Sequence, residues 1–361
     1  MRLENHASVS EFATYLLIIN ELYRQLKFVQ NAIQAFAVPW TMKALWLSGG
    51  RLRLREDLPL PTAAPGEALV RVLTAGICGT DLALVDALYP FEGVPGHEFV
   101  GIVEEGPEAL TGRRVVGEIN ATCGRCPECL AGLEKHCRAR TALGIRGRDG
   151  AFAEYLQLPA DNLHPVPDNV STDTAVFTEP LAAALDIVER FPPDPGDAVL
   201  VVGAGRLGQL VCRVLGASGA RVVAVGRNPE KLARLEGVVA DTLHAEDVEP
   251  HSFAMAVECT GDPSGLPIAL GALRPQGRLV LKSTYSEPLK LDMGPVVVDE
   301  LRLVGSRCGP FDAALRMLEE RRVEVEPLID ARYPLRAGVE AFAHSRGPGV
   351  LKVLLEIGED D

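Results

Sequence analysis

The chain has 361 residues, 47% apolar and 24% charged, with 49 Asp and Glu against 36 Lys and Arg. At about 100–200 residues per domain that length fits two or three domains, and the composition excludes wholesale disorder and fibrous repeats. A formal charge of −13 disfavours nucleic acid and anionic membrane as partners, while 35 Gly and 26 Pro against 2 Trp, 6 Tyr and 11 Phe favour a strand-rich or α/β protein over a helical bundle.

Residues 1–41 stand apart. They hold Phe12, Tyr15, Tyr23, Phe28, Phe36 and Trp40, no Gly and a single Pro. Phe12, Tyr15, Ile19, Leu22, Leu26, Val29, Ile33 and Phe36 follow a 3-4 spacing that places them on one helix face. Two readings stay open: an amphipathic helix that docks on the core or on a second copy, or an upstream extension with Met42 as the start. No run approaches the ~20 apolar residues of a membrane span. The first residues, with Arg2, Glu4 and Glu11, lack the layout of a secretory signal. The expected setting is the cytoplasm, where the eight cysteines are thiols or metal ligands.

From Met42 the text turns strand-like, with short β-type runs at 44–46, 51–54, 68–74 and 100–104 between Gly, Pro and Asp turns. Gly76-Ile77-Cys78-Gly79-Thr80-Asp81 and Gly96-His97-Glu98 fall within this part. A thiolate and a neutral imidazole are ligand types of a catalytic zinc that keeps one position open, and the flanking glycines let the backbone aim both side chains at one point. Each alone reads better as a core thiol and a core histidine; their company, a four-cysteine lobe and a glycine-rich nucleotide loop, favours metal. A third ligand must come from elsewhere, with Glu98 and Glu179 as the candidates. Residues 86–96 are a candidate wall or lid.

Cys123, Cys126, Cys129 and Cys137 follow closely. Four thiolates at this spacing close a tetrahedral shell around Zn²⁺ and leave no position for substrate, so the role is structural. An iron–sulfur cluster and a nucleic-acid-binding zinc ribbon compete, and the acidic balance argues against the ribbon.

Near residue 175 the texture changes. Residues 182–190 read as helix, 191–197 as turn and 198–202 as an apolar strand; strand and helix then alternate to about 305, the pattern of a parallel sheet flanked by helices. Gly203-Ala204-Gly205-Arg206-Leu207-Gly208 follows that strand at once and opens an apolar helix. The three glycines suit a tight turn, close approach of a pyrophosphate and close helix–strand packing, so a dinucleotide is expected there. At the end of the next strand Gly226 and Arg227 stand where an NAD site usually has an acid for the ribose 2′-hydroxyl. NADP is therefore favoured over NAD, the competing reading being an Arg227 that extends into solvent. Thr260-Gly261 and Lys282-Ser283 follow later strands and are expected to line the cofactor. Cys212 and Cys259 read as packing thiols, and Cys308, beside Arg307, has no spacing that assigns it. The tail reads as a helix at 311–320 and a closing strand at 351–357.

The order Gly-Ile-Cys78-Gly-Thr80-Asp81, Gly-His97-Glu98, the four-cysteine lobe, Glu179-Pro180 and Gly203-x-Gly205-x-x-Gly208 resembles the zinc-dependent alcohol dehydrogenases of the medium-chain dehydrogenase/reductase family, over about residues 42–361. The Glu179-Pro180 pair is more similar to the polyol, glucose and threonine dehydrogenase branch. The resemblance implies a GroES-like catalytic domain (42–185 and 311–361) split around a Rossmann cofactor domain (186–310), behind the helical extension at 1–41. It implies two zincs per subunit. Cys78, His97 and Glu179 would hold the catalytic one, Glu98 being an exchangeable or supporting carboxylate, and the four-cysteine lobe would hold the structural one. Asp81 would orient His97, and Thr80 would hydrogen-bond the substrate oxygen and pass its proton outward. The histidine that many members carry five residues after the ligand cysteine is Ala83 here, which leaves the relay beyond Thr80 open. The implied reaction interconverts an alcohol and its ketone or aldehyde with NAD(P), in a homodimer or homotetramer. A zinc-free NADPH-dependent reductase and a zinc-binding interaction module are the competing functions.

Overall fold

The computed structural model describes residues 40–88, 90–285 and 288–358. The chain divides into two units, Met1–Thr41 and Met42–Asp361. The helix expected within 1–41 lies outside the described residues.

Two sheets dominate the second unit. In the first, strands run in the order Ile329–Pro334, Lys352–Glu356, Glu67–Gly76, Glu98–Glu105, Arg114–Gly117 and Leu163–Pro165, with Tyr155–Pro159 also paired to Glu67–Gly76. Only the pairing of Ile329–Pro334 with Lys352–Glu356 is parallel. Ala68, Val70 and Val72 alternate inward to pack with Leu45, Phe99 and Phe152. A register shift between Val72 and Thr74 then changes the phase of burial, so that Ala75 and Ile77 are the next buried side chains in this core. Beyond that shift Gly76 lies opposite Glu98. Cys78 and His97, just past the paired residues, therefore leave the sheet side by side. This register builds the site.

The second sheet has six parallel strands in the order Asp241–Leu243, Arg221–Val225, Ala198–Val202, Phe253–Glu258, Leu273–Leu281 and Arg302–Gly305. This order, 3-2-1-4-5-6, is that of the doubly wound dinucleotide fold. Ala198–Val202 is apolar throughout because both faces are covered. Val199 and Val201 pack with Leu181 of helix Thr178–Arg190, Leu215 of helix Arg206–Ala217 and Leu315 of helix Phe311–Glu319. Leu200 and Val202 pack on the opposite side with Leu266 and Ala269 of helix Gly265–Gly271.

The first of these cores also takes in Val100 and Val116 from the mixed sheet, so the two sheets share packed surface. Fully buried leucines such as Leu181 each contribute about 1.5–3 kcal/mol there. The expected α/β class and the elements at both ends of this unit are observed, the tail as Phe311–Glu319 and Lys352–Glu356. None of the described helices is long and apolar enough to cross a membrane.

Candidate active site

The ligand atoms of Cys78, His97 and Glu98 lie within 4.8 Å of one another. Cys78 precedes helix Gly79–Val85, and its backbone N–H donates to Asp81 Oδ2 at 2.8 Å. The other oxygen of this fully buried carboxylate, Oδ1, lies 3.3 Å from His97 Nδ1. Neither of those two atoms has a well-aligned hydrogen-bond partner among the described residues. Nδ1 thus faces Asp81, and Nε2 is left for a ligand. Burial opposes protonation of His97, but Asp81 and Cys78 outweigh it and raise its pKa well above the ordinary value. A cation among the three donors reverses that preference, because a ligating imidazole must be neutral. Sulfur, nitrogen and carboxylate oxygen, two of them on buried residues, are the donor set of a catalytic zinc.

Gly96 is required by the close approach of its neighbour. It has φ +101°, and a Cβ there would meet the Phe152 ring at 2.7 Å. Thr80 Oγ1 lies 3.8 Å from Cys78 Sγ, at the rim of the same site.

The two carboxylate candidates lie differently with respect to Cys78 and His97. Glu98 belongs to the cluster, whereas Glu179, in the first turn of helix Thr178–Arg190, falls outside the set within 4.8 Å. Glu179 is nevertheless close enough to feel the others: burial raises its pKa, His97 lowers it and Glu98 raises it. Sequence reasoning missed the group that separates the two. Lys352, 4% exposed, forms an ion pair with Glu98 Oε2, 1% exposed, across the sheet. The Lys352 ammonium also lies 5.4 Å from the centroid of the Phe177 ring.

The four lobe cysteines likewise converge within 4.8 Å. Cys126 and Cys129 sulfurs are 3.4 Å apart, and those of Cys123 and Cys137 are 3.6 Å apart. A tetrahedron with Zn–S of 2.3 Å has edges of about 3.8 Å, so the lobe fits zinc. Backbone N–H groups of Arg125 and Cys126 lower Cys123 to about 6. The Cys129 N–H pulls Cys126 the same way, but burial and the neighbouring sulfurs outweigh it and hold Cys126 as a thiol. A cation is what lets all four ionise together.

On the parallel sheet, Gly203 (φ +115°) turns the chain, and a Cβ on Gly208 would lie 1.7 Å from Gly203 O. A Cβ on Gly205, by contrast, would meet nothing within 4 Å, so it would fill the space a pyrophosphate needs at the start of helix Arg206–Ala217. Leu207 packs against the core. Arg206 reaches across to Ser345 O at 2.5 Å and Ser345 Oγ at 3.0 Å, and its buried Nε has no partner among the described residues. Arg227 pairs with Asp262 at 3.2 Å. Thr260 stands at a strand end, but its hydroxyl is engaged locally with Glu258 Oε1 at 2.5 Å and Asp262 O at 2.9 Å. Cys212 is fully buried in the core and Cys259 packs against it, as expected of packing thiols.

Residues 64–168 match the family model described as the alcohol dehydrogenase GroES-like domain, and residues 207–320 the one described as zinc-binding dehydrogenase. An L-threonine 3-dehydrogenase of Streptomyces avermitilis is 34% identical over 327 residues, covering 83% of this chain and 94% of its own. An erythritol/L-threitol dehydrogenase of Mycolicibacterium smegmatis is 31% identical over 334 residues, 82% of this chain and 92% of its own. A zinc-binding dehydrogenase from Sinorhizobium meliloti solved with NADP superposes with a TM-score of 0.82 at 29% identity, covering 88% of this chain and 99% of that one. Fold, motif order and kinship agree: the chain belongs to the zinc-binding alcohol dehydrogenases of the medium-chain dehydrogenase/reductase family, and it is an NAD(P)-dependent enzyme that interconverts an alcohol and its carbonyl.

Proposed function

We propose that the substrate is a secondary alcohol of the polyol, sugar or hydroxy-amino-acid type, oxidised at Cys78, His97 and Glu98 with NADP⁺ in preference to NAD⁺. The observation that carries this reading is the convergence of those three donors, two of them on buried residues, within 4.8 Å of one another. The threonine and threitol dehydrogenase relatives support the substrate class. Cys78, His97 and Glu98 would hold a zinc ion, with Glu179 as the exchange partner for the carboxylate position; when bound, the ion would supply Lewis acidity toward an alcohol and the nicotinamide cofactor would supply the hydride acceptor.

The chain's own residues do the rest. Asp81 fixes the imidazole through Nδ1. Lys352 engages one oxygen of Glu98 and balances its charge, which leaves the other oxygen for the metal. Thr80 hydrogen-bonds the substrate oxygen and takes its proton outward, with Ala83 where many family members carry a histidine. Cys123, Cys126, Cys129 and Cys137 would hold a second zinc, whose role there would be to fasten that loop. Catalytic segments at 42–185 and 311–361 then work around a cofactor segment at 186–310.

The preference for NADP is supported by space and charge. A Cβ at Gly226 would come within 3.0 Å of Ala204 Cβ and 3.1 Å of Leu232 Cδ2, so an acid there would crowd both side chains, and none stands at this position. Arg227, 79% exposed and paired with Asp262, supplies a cation at the strand end for a 2′-phosphate, with Asp262 as the partner it would leave. The open edge strand Arg302–Gly305, with Val297 and Val298 exposed on the preceding helix, supports a dimer or tetramer. Eight free thiols suit the reducing cytoplasm.

The test is a panel of primary alcohols, secondary alcohols, polyols, aldoses and L-threonine, each run with NAD⁺ and NADP⁺, alongside metal analysis. About two zincs per chain and a higher kcat/KM with NADP⁺ are expected. One zinc per chain overturns the site assignment, and a tenfold preference for NAD⁺ overturns the reading of Gly226 and Arg227.

A further inference from the structure

The four-cysteine lobe does more than hold itself together. Lys135, in the turn Glu134–His136 between Cys129 and Cys137, extends away from the thiols. It donates to Asp186 Oδ1 at 2.9 Å and to Cys308 O at 2.9 Å. Asp186, with a side chain only 4% exposed, also accepts from Ser306 Oγ at 2.7 Å. Arg307 closes the loop by donating back to Lys135 O. Lys282 ties the same segment from the other side, donating to Ser306 Oγ at 3.1 Å, Arg307 O at 2.9 Å and Ala183 O at 2.6 Å. Contact with helix Thr178–Arg190 is so close that a Cβ on Gly309 would lie 1.8 Å from Ala182 O.

Residues 306–309 thus hang from the C-terminal end of the last parallel strand, on the sheet edge that also carries Gly203, Thr260 and Lys282. The glycine loop follows the third strand of that order, and Arg227 follows the second. A dinucleotide whose pyrophosphate sits at the loop and whose adenosine ribose meets Arg227 must send its nicotinamide the other way, toward Lys282 and residues 306–309. Glu179 lies at that end: its charge acts on both Cys308 and Lys282.

We propose that Lys135 is a positioning residue for the nicotinamide half of the cofactor, carrying the order of the four-thiol lobe into residues 306–309. This rests on the reading of the parallel sheet as the dinucleotide site. The test uses full-length, zinc-replete enzyme and compares Lys135→Met with wild type in two titrations. One ligand is NADPH, followed by nicotinamide fluorescence; the other is 2′-phospho-ADP-ribose, which lacks the nicotinamide. Lys135→Met is expected to raise the Kd for NADPH and the KM for NADP⁺ about tenfold. The Kd for 2′-phospho-ADP-ribose and kcat at saturating cofactor should change less than twofold, and Lys135→Arg should restore NADPH binding. Ser306→Ala, a milder cut in the same chain of contacts, should weaken NADPH about threefold and keeps the test alive if Lys135→Met does not fold. Equal weakening of both ligands, or of neither, overturns the proposal. Wild type that binds neither of these ligands nor NADH overturns the dinucleotide reading itself, whereas wild type that binds NADH alone moves the same comparison to NADH and ADP-ribose, with the same outcomes expected.

Discussion

Cys123, Cys126, Cys129 and Cys137 meet within one short loop, whereas Cys78, His97 and Glu98 meet only because strands Glu67–Gly76 and Glu98–Glu105 pair with Gly76 opposite Glu98. The lobe lies at the surface, with Leu130 and Leu133 exposed beside it, and offers four sulfurs of its own within 4.8 Å of one another. The other cluster, with His97 and Glu98 buried and Cys78 partly so, brings its counter-charge from Lys352, far along the chain. A closed site can be written in local spacing. An open one needs the tertiary fold to hold its ligands apart from solvent and short of saturation.

That contrast breaks most directly at Cys78. Cys78→Ser should remove one of two zincs and lower turnover by about 1000-fold or more, the loss of several kcal/mol of electrophilic stabilisation. NADPH binding should survive, and retained turnover sinks the contrast. Next comes the counter-charge. Lys352→Met leaves Glu98 buried without its partner, which should cost about 3–5 kcal/mol in chemical denaturation. Adding Glu98→Gln to that variant should recover part of the loss; no recovery means the pair is not what Lys352 contributes. On the other side, Cys126→Ser should release the lobe zinc to a chelator and lower stability by on the order of 2 kcal/mol, since a closed site contributes folding free energy directly. Its catalytic zinc should stay, and loss of both metals together would show that the two centres are not independent.

The smallest effect lies outside both centres. His164 bridges Glu118 at 3.1 Å and Asp312 at 2.8 Å. Burial opposes its protonation, but the two carboxylates outweigh it, so its folded pKa lies above the ordinary 6.5. Its contribution is fully present below about pH 6.5 and is lost as pH rises through the folded value. His164→Gln should therefore cost under about 1 kcal/mol at pH 5.5, because both carboxylates are largely exposed, and nothing at pH 9. An equal cost at both pH values would mean that packing against Phe311, 5.4 Å away between ring centroids, carries the effect.

Much of the site was legible in the sequence because its chemistry is punctuated by glycine. Gly96 and Gly203 mark places where the backbone itself must give way, and such places sit next to ligands. The four-cysteine lobe was legible for a different reason, its spacing being short enough to count. The closeness of Glu98 to Cys78 and His97 was not legible, because it follows from a strand register, and neither was its ion pair with Lys352, which no short-range pattern links to residue 98. The Arg206 side chain shows the same limit: nothing in the glycine loop's spacing pointed to Ser345, which its guanidinium reaches from the start of helix Arg206–Ala217. Asp262 and Asp186 escaped because an acid at a strand end or in a helix is an ordinary sight until its partner is placed.

Strand Lys352–Glu356 lies inside the mixed sheet, between Ile329–Pro334 and Glu67–Gly76. During synthesis, therefore, Cys78 and His97 emerge from the ribosome long before the strand that completes their sheet, while the whole parallel sheet between them can already form. A nascent chain halted after residue 345 would hold every expected zinc ligand and still lack the cation that keeps Glu98 in place. Such a chain should be a ready target for proteases, and competence would arrive in a single late step, when residues 352–356 slot into the gap.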